Sequence, residues 1–217
     1  MPFGHGIGAR GVGGALMLTL DHVAVSASTL EAGTDATERA LGLALEPGGA
    51  HPDFGTHNRL LGLGAEYLEV ISIDPAAPPL GRARWFDLDR FAGPARLTNW
   101  ILRTSSLEAA LAALGPEFGA PVALRRGDLR WRMAVPETGL LPFDNCAPAL
   151  IEWETEAPVA RLTARGAALE ALTVTHPDAE RLAALLSPHL ADQRVVYRTG
   201  LPGLSAQIST PHGARHL

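Results

Sequence analysis

The stretch Leu20-Asp21-His22-Val23-Ala24-Val25-Ser26 decides the fold of this 217-residue chain. Apolar and polar residues alternate in it and β-branched residues are frequent, so it predicts a β-strand. On such a strand, Val23 and Val25 point to one face while His22 and Ala24 point to the other. The valines suit packing under a helix, and the small neighbours of His22 leave room for a ligand.

The same pattern returns 77 residues later (97 − 20), because residues 20–32 align without gaps on residues 97–109. Around each copy the predicted order is one strand, one helix and three further strands. The first copy spans residues 18–74 and the second spans residues 97–156, with a Pro-rich linker at residues 75–96. An internal repeat of this kind predicts one βαβββ unit used twice within an α+β fold.

Two further segments complete the predicted organisation. A partial third copy at residues 166–212 has Ala171 where the first copy has His22. Residues 1–17 are rich in glycine and predict a flexible leader, so the folded domain is predicted at residues 18–212.

A second strand with one charged side chain ends the first copy, at Tyr67-Leu68-Glu69-Val70-Ile71. Burying an unpaired carboxylate is costly, so Glu69 needs a partner. If the first and last strands of the copy are adjacent, His22 and Glu69 meet, either as ligands of a divalent metal or as a pair without metal. In the second copy, Ile151-Glu152-Trp153 is matched to the Glu69 strand.

The middle of the first copy offers further polar candidates. Leu43–Glu46 predicts a short strand, and the polar, turn-rich segment after it leads into a strand that begins at His57. His51 and Thr56 lie at this entry. Because His57 and Asn58 alternate on the strand, at most one of them faces a pocket.

Composition excludes several classes of function. Apolar residues make up 47 % and charged residues 19 %, which suits a folded core. The net charge of −5 argues against a nucleic-acid partner, which needs clustered cations. No apolar run approaches the length of a membrane span. Cys146 is the single cysteine, so neither internal disulfides nor a Cys-based zinc site is expected, and a cytoplasmic location fits.

These features together resemble the vicinal oxygen chelate superfamily, which includes glyoxalase I, extradiol dioxygenases, bleomycin-resistance proteins and methylmalonyl-CoA epimerase. The resemblance is carried by the paired βαβββ units, the Leu20–Val23 start and the Tyr67–Val70 end. The segment Gly48–Asn58 is similar to the glyoxalase-like domain branch in particular. The resemblance implies tandem modules that form curved mixed sheets, followed by a truncated third module.

The resemblance also implies a site between the modules, with one ligand from the first and one from the last strand of each. Carried over to this sequence, His22, Glu69 and Glu152 are the candidate metal ligands, and the ion is Mg, Mn, Zn or Fe. Asn99 takes the fourth position, where an amide is a poor ligand for zinc or iron. Glu69 and Glu152 are the candidate catalytic carboxylates. The candidate substrate-binding residues are His51, Thr56, Asn58, Asn99, Arg103 and Trp131.

Two functions follow from the resemblance as expectations. The first is an enzyme that binds a small oxygen-rich molecule between the modules and performs metal-dependent lyase, isomerase or dioxygenase chemistry. The second is a ligand-sequestering protein of the bleomycin-resistance type, which performs no chemistry. Both modules lie in one chain, so either a monomer or a homodimer satisfies the expectation.

Overall fold

The computed structural model describes residues 16–217, so almost all of the predicted leader, residues 1–17, lies outside the described residues. Three helices and twelve strands follow within the described range. They are β1 Thr19–Ser26, α1 Leu30–Leu41, β2 Glu46–His51, β3 Thr56–Gly62, β4 Tyr67–Ile73, β5 Arg96–Arg103, α2 Leu107–Leu114, β6 Ala120–Arg126, β7 Leu129–Val135, β8 Ala149–Trp153, β9 Ala168–Thr175, α3 Ala179–Leu186, β10 Val195–Arg198, β11 Gly203–Thr210 and β12 Gly213–His216. Short 3₁₀ helices occupy Trp85–Arg90, Pro116–Phe118 and Pro158–Arg161.

The first two modules share one eight-stranded sheet in the order β2-β3-β4-β1-β5-β8-β7-β6. In each module the first and last strands are parallel neighbours, and β1 and β5 join the modules as an antiparallel pair. The sheet curls until its two edge strands, β2 and β6, contact one another. The predicted α+β class with curved mixed sheets is therefore confirmed, and the concave face of this half-barrel carries the candidate site.

The helices begin at equivalent points of the repeat. The hydroxyl of Thr29 accepts a hydrogen bond from the Ala32 backbone N–H at the start of α1, and Ser106 does the same for Ala109 at the start of α2. Such side-chain caps satisfy backbone donors that a helix start leaves free. Apolar residues of both helices pack on the convex face of the sheet in one large core.

A β-bulge interrupts the pairing of each of the two central strands, β1 and β5. Asp21 is the extra residue in β1, and Thr98 is the extra residue in β5. These positions are 77 residues apart, so the bulges are part of the repeat. Simple alternation places Asp21 on the face opposite His22, whereas the bulge brings the Asp21 carboxylate beside the His22 ring.

Strand β2 begins where the predicted strand at residues 43–46 ends. It runs from Glu46 to His51 and contains the Pro47-Gly48-Gly49 segment as an irregularity in its pairing with β3. The lack of a side chain at Gly48 lets β2 lie close to Asn58 of β3, because a Cβ on Gly48 would lie 1.9 Å from Asn58 Oδ1. The sequence pattern treats these residues as a turn because glycine and proline usually end strands.

The third copy repeats the order of elements with a different strand pairing. Its four-stranded sheet has the order β10-β9-β11-β12, so its first strand pairs with its second rather than with its last. Strand β12 lies just beyond the predicted boundary at residue 212. Residues Leu169, Leu172 and Ile208 join the core on the convex side of the large sheet, so this copy covers the helix face and leaves the concave face free.

The segment between the first two modules crosses the concave face. Trp85, Phe86 and Leu88 are buried in a second core that also contains Ala24, Ile71 and other residues of the concave side. Phe86 and Asp87 adopt the left-handed conformation, with φ of 60° and 58°. The linker therefore forms one wall of the site.

No helix in residues 16–217 is long and apolar enough to cross a membrane.

Candidate functional site

One cavity, called here the His22 cavity, opens on the concave face between the first two modules. It encloses about 360 Å³ of space not filled by protein atoms, including its mouth. The first module supplies most of its polar groups, whereas the linker and the second module supply aromatic and apolar groups together with one arginine. Its lining consists of His22, His51, Asn58, Tyr67, Glu69, Trp85, Phe86, Arg126, Trp131, Met133, Ile151 and Trp153.

His22 lies between two carboxylates at the base of this cavity. Its Nδ1 lies 2.7 Å from Asp21 Oδ1, and its Nε2 lies 3.7 Å from Glu69 Oε2. The ring stacks on Tyr67 with centroids 4.3 Å apart. Trp153 donates an indole N–H to the other oxygen of Asp21 over 3.0 Å, which fixes that carboxylate. The ring is held in one orientation with Nε2 directed toward Glu69.

Charge on His22 and Glu69 is mutually stabilised. Burial lowers the pKa of His22, but the hydrogen bonds and charges of Asp21 and Glu69 outweigh this and raise it to about 9. Burial raises the pKa of Glu69, but His22, His51 and the Asn58 hydrogen bond outweigh this and lower it to about 2. At neutral pH the pair is therefore imidazolium and carboxylate, with Nδ1–H and Nε2–H both available as donors.

The raised pKa of His22 predicts that stability falls as pH rises. An unfolded histidine has a pKa of 6.5 and the folded one about 9, so folding takes up a proton between these values. The favourable contribution is complete below pH 6.5 and is lost as pH passes 9, at a slope approaching ~1.4 kcal/mol per pH unit. Urea unfolding at pH 6.5, 7.5, 8.5 and 9.5 measures this loss. The His22→Gln variant cannot titrate at this position, so its free energy of unfolding is expected to fall by about 2–3 kcal/mol less than that of the wild-type protein between pH 6.5 and 9.5. An equal fall in the two proteins contradicts a raised pKa for His22.

Asn58 fixes the orientation of Glu69. Its Nδ2 donates to Glu69 Oε1, and its Oδ1 accepts from the Gly49 backbone N–H over 2.9 Å. Glu69 Oε2 is therefore the carboxylate oxygen that remains directed toward His22. His57, the neighbour of Asn58, faces away and pairs with Ser72.

His51 and Thr56 support the cavity wall. Burial lowers the pKa of His51 to about 4, and the charge of Arg126 acts in the same direction, so the ring is neutral near pH 7. Arg126 Nη1 donates to His51 Nε2 over 3.2 Å, which leaves the proton on Nδ1, 3.0 Å from Thr56 Oγ1. Thr56 is fully buried behind His51 and does not line the cavity.

The second module does not supply the equivalent polar groups. Ala24 pairs with Glu69, and Ile101, which is equivalent to Ala24, pairs with Ala149. Ala149 therefore occupies the position that corresponds to Glu69. The sequence alignment pairs Glu69 with Glu152, which lies three residues after Ala149 on the strand. Because side chains alternate between the two faces, a displacement by an odd number of residues moves a side chain to the opposite face.

Glu152 lies on the helix side of the sheet. Its Oε2 accepts from the Leu107 backbone N–H at the start of α2 over 2.8 Å and from Arg132 over 2.6 Å. An acidic side chain stabilises a helix N-terminus in this way. The structure therefore does not bring Glu152 to His22 and Glu69.

Asn99 and Arg103, the two candidate residues on β5, also lie outside the cavity. Asn99 is completely buried on β5 and does not line it. Arg103 donates to Thr19 Oγ1, and its Nη1 lies 4.0 Å from Asp21 Oδ2, so it contacts the carboxylate that holds His22 without lining the cavity. Trp131 does line the cavity, where it meets His51 edge to face at 6.1 Å between ring centroids.

A divalent metal does not fit this set of side chains. Of the four ligand positions expected from the repeat, only those of His22 and Glu69 carry metal-binding side chains that line the cavity. The equivalent positions of the second module hold Asn99, which does not line the cavity, and Ala149, which has no donor atom in its side chain. Arg126 directs a cation at His51 Nε2, the nearest further imidazole nitrogen, and a second cation there is repelled. Within residues 16–217, no three His, Cys, Asp or Glu side chains are grouped so that they could hold a metal ion.

The sequence pattern missed two residues that line the cavity, Arg126 and Trp153, and one carboxylate that holds His22, that of Asp21. Asp21 reaches His22 only through the bulge, Arg126 comes from the distant edge strand β6, and Trp153 reaches Asp21 across the sheet. One signal was present. Asp21-His22 and Thr98-Asn99 are adjacent polar pairs at equivalent positions of two otherwise apolar strands, and regular alternation cannot place both members of a pair on one face.

Comparison with known proteins agrees with this architecture. The sequence profile of the glyoxalase-like domain matches residues 20–190. A hypothetical protein from Staphylococcus aureus has a similar structure, with a TM-score of 0.62 and 15% identity over 86% of this chain and 88% of that one. Methylmalonyl-CoA epimerase from Mycobacterium tuberculosis shows a TM-score of 0.41 and 20% identity over 65% of this chain and 91% of that one. No curated protein matches the sequence.

Because the profile covers most of the chain, this protein belongs to the glyoxalase-like domain family. The curved βαβββ pair and the match together place it in the vicinal oxygen chelate superfamily. The Staphylococcus aureus protein is below 25% identity, so its likeness bears on the fold alone.

Proposed function

We propose that this protein binds a small oxygen-rich molecule in the His22 cavity and transfers a proton on it, as an isomerase or lyase that needs no metal. The observation that carries the proposal is the buried His22 ring, held between the Asp21 and Glu69 carboxylates at the base of the cavity. Strongly shifted acid and base groups that face a cavity are typical of catalytic sites.

His22 is suited to bind a substrate oxygen. Asp21 occupies Nδ1, so Nε2–H is the donor that faces the cavity. Its distance of 3.7 Å from Glu69 Oε2 is long for a hydrogen bond, and a substrate carbonyl oxygen can take this donor instead. A charged donor in a dry site stabilises the negative charge that develops on such an oxygen when a neighbouring C–H bond breaks.

Glu69 is suited to act as the base. When a substrate oxygen takes the Nε2–H of His22, that hydrogen no longer points at Glu69, so the effect of His22 that lowers the pKa of Glu69 weakens and the basicity of Glu69 rises on binding. Oε2 then takes a proton from the carbon next to the substrate carbonyl. The C–H electron pair forms a C=C bond while the C=O π pair moves to the carbonyl oxygen, which accepts the His22 hydrogen bond. Return of the proton from Glu69 to carbon or to oxygen completes the step.

The walls of the cavity support both binding and chemistry. Trp85, Phe86, Trp131 and Trp153 surround the polar base with aromatic rings, which exclude water and strengthen the interactions within. The same aromatic lining favours a second candidate function, ligand sequestration of the bleomycin-resistance type, because it can hold a flat molecule without chemistry.

Proton exchange separates these two functions. Phenylpyruvate and phenylacetone each carry a benzylic C–H next to a carbonyl, and incorporation of deuterium from D₂O is followed by NMR with and without protein. We expect the protein, after dialysis against EDTA, to accelerate exchange of at least one of them, because the donors argued above are all side chains. Binding without accelerated exchange supports sequestration, and acceleration that disappears with EDTA and returns with a divalent ion contradicts the metal-free step.

A further inference from the structure

Arg126 is a cation that joins the two modules at the wall of the His22 cavity. It is the last residue of β6, and its stem lies against Gly49 of β2. Its Nη1 donates to Asn58 Oδ1 over 2.9 Å and to His51 Nε2 over 3.2 Å. The guanidinium is therefore held in a fixed place on the cavity wall.

Both partners of this guanidinium are uncharged. Asn58 is an amide, and His51 is a neutral ring because burial and Arg126 lower its pKa to about 4. Across residues 16–217, Arg126 forms no ion pair, although other half-buried arginines such as Arg132 and Arg194 pair with carboxylates. A half-buried charge without a counter-charge is costly, so this site is suited to an anion that arrives with the ligand.

The remaining donors of Arg126 match a carboxylate. Nε and Nη2 make no hydrogen bond to any residue of the described part of the chain, and Arg126 lines the cavity. Two parallel N–H groups of a guanidinium bind the two oxygens of a carboxylate in a planar, bidentate arrangement.

Asn58 connects this anion site to the catalytic pair. Its Oδ1 accepts from Arg126 while its Nδ2 donates to Glu69 Oε1, so one amide separates the guanidinium from the base. Because Arg126 and His22 both line this cavity, one small molecule can place a carboxylate on Arg126 and a carbonyl oxygen on His22. The aromatic walls suit a flat apolar remainder.

We infer that the substrate is a small 2-oxo carboxylate with a flat apolar body, whose carboxylate binds Arg126 and whose oxo group faces His22. This inference rests on the proposed function and assigns its substrate class. Arg126 selects the substrate, while Asp21, His22 and Glu69 act on the C–H next to the oxo group.

The test compares phenylpyruvate with phenylacetone, which replaces the carboxylate by a methyl group. Isothermal titration at pH 7 gives the Kd of each for the wild-type protein, Arg126→Gln and the control Arg125→Gln. Arg125 is an exposed neighbour on the same strand that does not line the cavity. We expect Arg126→Gln to raise the Kd of phenylpyruvate about 10²-fold, as loss of a charged hydrogen-bonded pair does. Arg125→Gln is expected to change it less than twofold.

Phenylacetone reports whether the cavity itself survives the substitution. Its Kd is expected to change less than threefold in Arg126→Gln, which also shows that this variant is folded. Equal weakening of both ligands, equal affinity of the wild-type protein for both, or no binding of phenylpyruvate overturns the inference. Accelerated deuterium exchange of phenylacetone without any preference for phenylpyruvate leaves the proposed function standing while the carboxylate assignment fails.

Discussion

Glu69→Gln is expected to slow deuterium exchange about 10³-fold and to leave ligand binding within about tenfold of the wild-type protein. The amide keeps the shape of the carboxylate and can still contact Asn58, but it has no basic oxygen to accept a proton. Removal of a positioned general base costs a factor of this order. NMR exchange rates with saturating phenylpyruvate, together with Kd values, separate the loss of chemistry from the loss of binding.

Glu152→Gln is the matched control for this experiment. It makes the same chemical change on the helix side of the sheet, where Glu152 contacts Leu107 and Arg132. We expect the exchange rate to change less than twofold, with a stability loss of about 1 kcal/mol at the start of α2. A large loss of exchange in Glu152→Gln would instead support the ligand set expected from the sequence and contradict the register described above.

Gly48→Ala is expected to damage the site from outside the cavity. The added Cβ would lie 1.9 Å from Asn58 Oδ1 and 2.6 Å from the Asn58 carbonyl oxygen, so both side chain and backbone have to move. Asn58 then loses its hydrogen bonds to Glu69 and Arg126. We expect the free energy of unfolding to fall by about 2–3 kcal/mol and exchange to fall at least tenfold. Urea unfolding and the NMR assay measure the two effects.

Gly81→Ala controls for the general cost of replacing a glycine. A Cβ at Gly81 meets no atom within 4 Å, so its effect on stability is expected to stay within about 0.5 kcal/mol. If Gly48→Ala behaves like this control, β2 does not pack against Asn58 as described, and the positioning of Glu69 by Asn58 loses its support.

The repeat made much of the fold predictable. The 77-residue offset gave two equivalent units, and the same offset relates the helix caps Thr29 and Ser106 and the bulges at Asp21 and Thr98. These features are local, since a cap or a strand depends on residues a few positions apart. The meeting of His22 and Glu69 also followed, once the first and last strands of a unit were taken as neighbours.

The second half of the site was not predictable in the same way. Glu152 has the right neighbours in sequence, but the register between β5 and β8 places Ala149 opposite Ile101 and turns Glu152 away. Register is set by pairing between strands almost fifty residues apart, and a displacement by an odd number of residues exchanges the two faces. Sequence similarity alone carries no such information.

The sequence by itself determined the two βαβββ units, the apolar faces that pack them and the pair of ionisable residues in the first one. Only the tertiary structure decided what surrounds that pair. The bulge brings Asp21 to His22, and the curling of the sheet brings Arg126 from one edge to Asn58 near the other. The physical reason is that periodicity encodes which face a side chain occupies, whereas the partners of a buried charge depend on how distant strands close around it.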